Sequence, residues 1–245
     1  MPPIALHLMP IFVGKMEQRK ITDIFFDLDH TLWDFEANSK ATFEQIFKTH
    51  SFPFSVEAFM EIYSPINHAY WKMYRENKID EIQLRQLRLE KTFEGLSISV
   101  SDEVIAQIAE EYIQLLSLQP HLFKGAKTLL TTLQPKYKLH IITNGFENVQ
   151  QRKLENTRLD HFFDVVLTAE KVGVKKPNPA IYQKALALAQ AKPETSMMIG
   201  DSREADIEGA LAVGMHALHF NSHQEALHDL CPIVNSLSEI FDYLD

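Results

Sequence analysis

Ile21-Thr22-Asp23-Ile24-Phe25-Phe26-Asp27-Leu28-Asp29-His30-Thr31-Leu32 is an apolar run that stops on two closely spaced carboxylates. Ile21, Ile24, Phe25 and Phe26 favour extended structure and make a short run of the kind buried in parallel sheets; periodicity alone would also fit a buried helix. As a strand, the run delivers Asp27 and Asp29 at its carboxyl end, where open α/β sheets place their ligands. An acidic turn with no further role is the plainer alternative.

Working outward, the segment Leu139–Thr143 reads as a second strand and runs into Asn144-Gly145, Lys175-Lys176-Pro177 follows, and Met197-Met198-Ile199-Gly200-Asp201-Ser202 comes next with Asp206 shortly after. These four motifs, in this order, resemble the haloacid dehalogenase-like hydrolase superfamily. Its phosphatases carry DxDxT, a Thr or Ser after the second strand, a Lys usually followed by Pro, and a GDxxxxD-like acidic motif. The resemblance runs from about Ile21 to the C-terminus, and its specificity lies in the joint occurrence of the motifs.

Between Trp33 and about Leu118 apolar residues recur at helical spacing, as in Phe59-Tyr63-Ile66-Tyr70-Tyr74 and Val104-Ile105-Ile108-Tyr112-Leu115. Asp34 is a candidate cap for the first of these helices and Ser101 for the fourth, with Asp102 and Glu103 where the helix dipole favours acids. From Phe123 helix and strand alternate: helices at Ala126–Leu133, Asn148–Asn156, Ala180–Ala191 and Glu204–Ala212, strands at Val165–Thr168, Met197–Gly200 and His216–Phe220. Ile233-Val234 and Leu237–Leu244 read as a last short strand and helix. The pattern predicts an α/β fold, a doubly wound, Rossmann-like parallel sheet interrupted by helices. The resemblance implies that the insertion is an α-helical cap closing over the site. The expected division is an extension over 1–15, a catalytic core over 16–33 and 119–245, and a cap over 34–118. The aromatic stripe of the cap reads as its own core, since amphipathic helices bury such stripes.

Phosphoryl transfer needs a nucleophile, an acid for the leaving oxygen, and positive charge around the transferring group. The resemblance implies Asp27 as the nucleophile forming an aspartyl-phosphate and Asp29 as the acid, then base. It implies Mg²⁺ held by the Asp27 side chain, the Asp29 backbone carbonyl and Asp201, with Asp206 in support. Asp206 is alternatively a first-turn helix acid. Thr143 is implied to bind the phosphate through its hydroxyl, with Asn144 and Gly145 shaping the turn whose backbone amides add donors. Lys176 rather than Lys175 is the expected neutralising cation, because it directly precedes Pro177. His30 occupies a position most often glycine in the superfamily. Trp33 and Phe35 could stack a base or pack the hinge, and among cap charges Arg88 is a candidate substrate contact.

The chain of 245 residues has a formal net charge of −9, 45% hydrophobic residues and one cysteine, Cys231. That composition fits a soluble globule with ample core. No basic tract offsets the acidity, so neither a nucleic acid polymer nor an anionic membrane is an expected partner. A lone cysteine excludes an intrachain disulfide and accords with the cytoplasm. Met1–Lys15 is too short and too broken by Pro2, Pro3 and Pro10 for a signal peptide or spanning helix, and Met16 is an expected alternative start. Oligomeric state is left open.

The expected substrate is a small phosphomonoester. Asp29 argues against a haloacid dehalogenase, which needs no proton donor for a halide. A sugar-phosphate phosphatase or phosphomutase shares the same core motifs, and a non-catalytic binding module would not need all of them. The wording around Asp27–Phe35, Ile142–Phe146 and Val172–Pro179 resembles the pyrimidine 5′-nucleotidase group, which implies a nucleoside monophosphate.

Overall fold

The computed structural model describes residues 20–50 and 52–244, so the expectations for Met1–Lys15 and Met16 lie outside the described residues. Six parallel strands form one sheet, in the order β3-β2-β1-β4-β5-β6. They are β1 (Asp23–Phe26), β2 (Lys138–Thr143), β3 (Val165–Thr168), β4 (Ser196–Gly200), β5 (His216–Phe220) and β6 (Ile233–Val234). β1 lies in the middle, with Phe26 opposite Ile141 of β2 and Ile199 of β4. The three motif-bearing strands therefore end level with one another, and order reverses at β1, the switch point where such sheets bind ligands.

Both faces of the sheet are covered, which explains why β1 reads as an unbroken apolar run. Ile24 and Phe26 join Leu139, Ile141, Met197 and Ile199 on one face. Phe25 points the other way, to Ile142, Met198 and helix residues Ile181 and Tyr182. Asp23, the polar start of β1, is buried and meets His140 at 3.2 Å.

The insertion forms helices α1 (Phe35–Thr49), α2 (Val56–Arg75), α3 (Glu81–Gly95) and α4 (Asp102–Leu116). Asp34 caps α1 by accepting from Ala37 N at 3.0 Å. Ser101 stands at the start of α4 but its side chain makes no capping bond there. The aromatic stripe is the cap's interior: the Phe43 ring lies 4.5 Å from Phe59, 4.8 Å from Tyr63 and 4.7 Å from Tyr112. Burying one such ring is worth about 1.5–3 kcal/mol, so the stripe contributes strongly to holding α1, α2 and α4 together.

The remaining helices are α5 (Ala126–Leu133), α6 (Glu147–Thr157), α7 (Ala169–Val172), α8 (Pro179–Ala189) and α9 (Gly209–Ala212). Two expected helices differ in kind. Arg203–Glu208 is a π turn ahead of α9, with Ile207 N bonded to Ser202 O at 3.3 Å. The wider turn lets Asp206 face inward toward Ser202, and such turns gather at functional sites. Leu237–Tyr243 is a 3₁₀ segment. No helix among the described residues is long and apolar enough to cross a membrane.

Candidate active site

Asp27 follows β1 directly and is fixed by its backbone N–H, which donates to Ile199 O at 2.9 Å. Its Oδ1 accepts from Lys176 Nζ at 2.5 Å. The same ammonium donates to Asp206 Oδ1 at 2.6 Å and to Ile142 O at 2.8 Å. Lys176 is 2% exposed. Burial works against its charge, but Asp206 and Asp27 outweigh that and hold the ammonium above its ordinary range. Burial is also the main reason the Asp27 carboxyl is raised well above the usual range, with Lys176 opposing and the Asp206 and Asp201 carboxylates adding. Of the two adjacent lysines, Lys175 turns away to Asn77 Oδ1 at 2.7 Å, its Nζ 4.0 Å from the Tyr74 ring centre.

Lys176 is held in turn by Asn144, whose Oδ1 accepts from Lys176 N at 2.8 Å while its Nδ2 donates to Lys176 O at 3.1 Å. Asn144 thereby locks the loop carrying the lysine to the end of β2. Thr143 Oγ1 accepts from Gly145 N at 3.1 Å and from Gln150 Nε2 at 2.7 Å. With both lone pairs taken, its hydroxyl proton is left to donate into the cleft. Gly145 permits this closeness, since a Cβ there would lie 2.3 Å from Gln150 Nε2.

Asp29 is held on both oxygens: Lys153 Nζ donates to Oδ1 at 2.6 Å and Gln150 Nε2 to Oδ2 at 2.8 Å. Lys153 lies 4.1 Å from the Trp33 ring centre, and burial lowers its pKa against the pull of Asp29. Asp201, at the end of β4, accepts from Thr31 Oγ1 at 3.2 Å and pairs with His223 at 3.0 Å. Burial pushes its carboxyl up, yet the His223 hydrogen bond and the His30 and Lys176 charges leave it below the usual range. Asp206 Oδ2 accepts from Ser202 N at 3.0 Å. Gly200 makes room for it, because a Cβ there would fall 2.3 Å from Asp206 Cγ.

Asp27, Asp29, Thr143, Asn144, Lys176, Asp201 and Asp206 all line one cleft of about 520 Å³ between sheet and cap. Carboxylate oxygens of Asp27, Asp201 and Asp206 lie within 4.8 Å of one another. A set of hard oxygen donors fits Mg²⁺. His30 has φ +61°, the left-handed region that favours glycine, and its ring packs 4.8 Å from Phe35 and 4.4 Å from His223.

Three dimensions decide the open readings of Arg88, Trp33 and Phe35 and add two residues that the sequence reading missed. Arg88 does not line the cleft: it is buried in the cap, donating to Asn67 Oδ1 at 2.8 Å and lying 4.8 Å from the Tyr112 ring centre. Trp33 is fully buried and donates to Gln119 O at 3.3 Å, so it packs the hinge, whereas Phe35 reaches the cleft. Gln150 and Lys153, which hold Asp29, stand three apart on the inner face of α6. Polar residues at this spacing are ordinary on an amphipathic helix, and only burial in the folded chain sets these two apart.

The haloacid dehalogenase-like hydrolase family matches residues 24–220. The chain is 34% identical over 222 residues to pyrimidine 5′-nucleotidase YjjG of Escherichia coli, covering 89% of this chain and 95% of that protein. It is 30% identical over 227 residues to pyrimidine 5′-nucleotidase PynA of Streptococcus pneumoniae, covering 91% and 94%. In fold it matches the magnesium-bound HAD-hydrolase YfnB of Bacillus subtilis with a TM-score of 0.82, at 24% identity over 92% of this chain and 99% of that one.

Proposed function

The chain belongs to the haloacid dehalogenase-like hydrolase family, and from that premise we propose that it is a Mg²⁺-dependent phosphatase of nucleoside 5′-monophosphates, pyrimidine ones foremost. The observation that carries the phosphatase reading is Asp29, a second carboxylate set in the cleft by Lys153 and Gln150, since only an oxygen leaving group needs a proton. The nucleotide reading rests on the two pyrimidine 5′-nucleotidases above.

In this reading an Asp27 oxygen attacks phosphorus and the bond to the leaving alcohol breaks, with Asp29 supplying its proton. Water then attacks the aspartyl-phosphate, Asp29 takes the water proton, and the bond to Asp27 breaks to release inorganic phosphate. Thr143 donates its hydroxyl to the phosphoryl oxygens, and Lys176, kept charged by its two carboxylates, neutralises them. Asp206 serves by holding Lys176. Asp27, Asp201 and the Asp29 backbone carbonyl would hold Mg²⁺, which when bound offsets the charge of carboxylates and phosphate. The cap is assigned to 34–118 and the core to the segments around it, and the lone Cys231 accords with a cytoplasmic place.

One experiment tests this: phosphate release from nucleotides, sugar phosphates and small phosphomonoesters, with Mg²⁺ and with excess chelator. Uridine, deoxyuridine or thymidine monophosphates are expected to lead, with activity lost in chelator. A preference for hexose phosphates, or full activity in chelator, refutes it.

Gly200→Ala is expected to lower kcat by on the order of 10²-fold, the scale of a misplacement of about 1 Å. Its Cβ must displace Asp206, and Lys176 follows. Wild-type kcat in the folded variant would show that this register is not needed.

A further inference from the structure

Asn67 lies on α2, in the cap wall of the cleft, facing the core wall that carries the phosphate-binding groups. It is 3% exposed. Its Oδ1 accepts from Arg88 Nη1 at 2.8 Å and more distantly from Tyr63 at 3.5 Å. An arginine can only donate, so the amide cannot be turned around: oxygen faces Arg88 and Nδ2 faces away. That Nδ2 has no hydrogen-bond partner among the described residues. Arg88 is itself immobilised, its guanidinium 4.8 Å from the Tyr112 ring centre and 5.8 Å from that of Tyr63. Ser64, one turn earlier, is already committed to Glu36 at 2.7 Å. The cap thus presents an uncharged, pre-oriented N–H donor to a cleft that Phe35 and Trp71 also line.

We propose that Asn67 is a specificity-determining residue whose Nδ2 donates to a ring carbonyl oxygen of the bound nucleotide's base, with Arg88 as its positioning residue. This rests on the nucleotide reading above. The phosphate end of the substrate belongs to Thr143 and Lys176 on the core, so a neutral donor on the opposite wall suits a neutral acceptor. Every pyrimidine base carries a carbonyl at C2, and adenine carries none. A donor that finds no acceptor loses its water without replacement, so the arrangement discriminates by penalty as well as by attraction.

The test compares kcat/KM for uridine 5′-monophosphate with that for ribose 5-phosphate, which shares the sugar and phosphate and lacks only the base. In Asn67→Asp one carboxylate oxygen still accepts from Arg88, and the other sets an acceptor against the base carbonyl. The ratio is expected to fall by about 10–100-fold. Arg88→Lys keeps the charge but not the planar guanidinium whose Nη1 fixes the amide, and a smaller fall is expected. Folding is checked by thermal melting. An unchanged ratio in Asn67→Asp overturns the inference, and if that variant does not fold, the Arg88→Lys ratio decides in the same sense. A wild-type ratio below one overturns the nucleotide reading, and this inference with it; a ratio above one that the variants leave unchanged overturns the inference alone.

Discussion

Rapidly quenched Asp29→Asn protein, given p-nitrophenyl phosphate, is expected to carry one added phosphoryl group on the peptide containing Asp27. Nitrophenolate leaves with little need of a proton, so attack by Asp27 survives in part. Hydrolysis of the aspartyl-phosphate still requires a base for water, a contribution of about 10²–10⁴-fold. The second step slows more than the first and the intermediate accumulates. Asparagine is the better replacement here because alanine would leave the buried Lys153 ammonium, 2.6 Å from Asp29 Oδ1, without its partner. The new amide oxygen still accepts from Lys153. Gln150 can turn its Oε1, buried without a hydrogen bond, to accept the new N–H, at the cost of the bond its Nε2 gives Thr143, so phosphate binding is expected to weaken as well. Asp27→Asn protein should show no phosphoryl adduct, since an amide is a poor nucleophile. Turnover by Asp29→Asn at the wild-type rate, or a phosphoryl group on another residue, would refute the roles given to the pair.

Lys176→Met should cost both activity and stability, and the stability loss should depend on pH. Removing one partner of a buried ion pair typically costs about 3–5 kcal/mol. In a chain of this size each kcal/mol shifts Tm by about 2–4 °C, which gives a drop on the order of 10 °C. The sign with pH follows from which groups are raised. Asp27 and Asp206 already have raised carboxyl pKa values, chiefly from burial, and Lys176 opposes the rise in both. Without the cation they rise further. A carboxyl raised in the folded state holds its proton there after the unfolded chain has lost it, so stability falls as pH climbs from the unfolded value toward the folded one. Lys176 itself is raised, so its contribution is complete below the unfolded lysine pKa and disappears only at strongly alkaline pH. The Tm gap between wild type and Lys176→Met, measured in chelator, should therefore be largest near neutrality and narrow toward pH 4. A gap that is constant or widens in acid would show that the cation is not what makes these carboxylates tolerable.

The amino-acid sequence by itself determined the sheet, the helical insertion and the order of the motifs. These depend on local rules: apolar runs of strand length, apolar residues at helical spacing, and carboxylates, Thr143 and Lys176 at fixed places beside them. Asp34 as a cap and the cap's aromatic interior were legible for the same reason, since each is a matter of a few neighbouring residues. Tertiary structure alone decided which polar side chains serve Asp29, because Gln150 and Lys153 are 121 and 124 residues away from it in the chain. It also decided that Arg88 is an interior residue: an arginine on an amphipathic helix reads as solvated until Tyr63, Tyr112 and Asn67 close around it. The π turn at Arg203–Glu208 has the composition of an ordinary helix start and is set by the bonds of Asp206 to Ser202 and Lys176. Local propensity differs little between such alternatives, and long-range burial and pairing, worth several kcal/mol, choose among them.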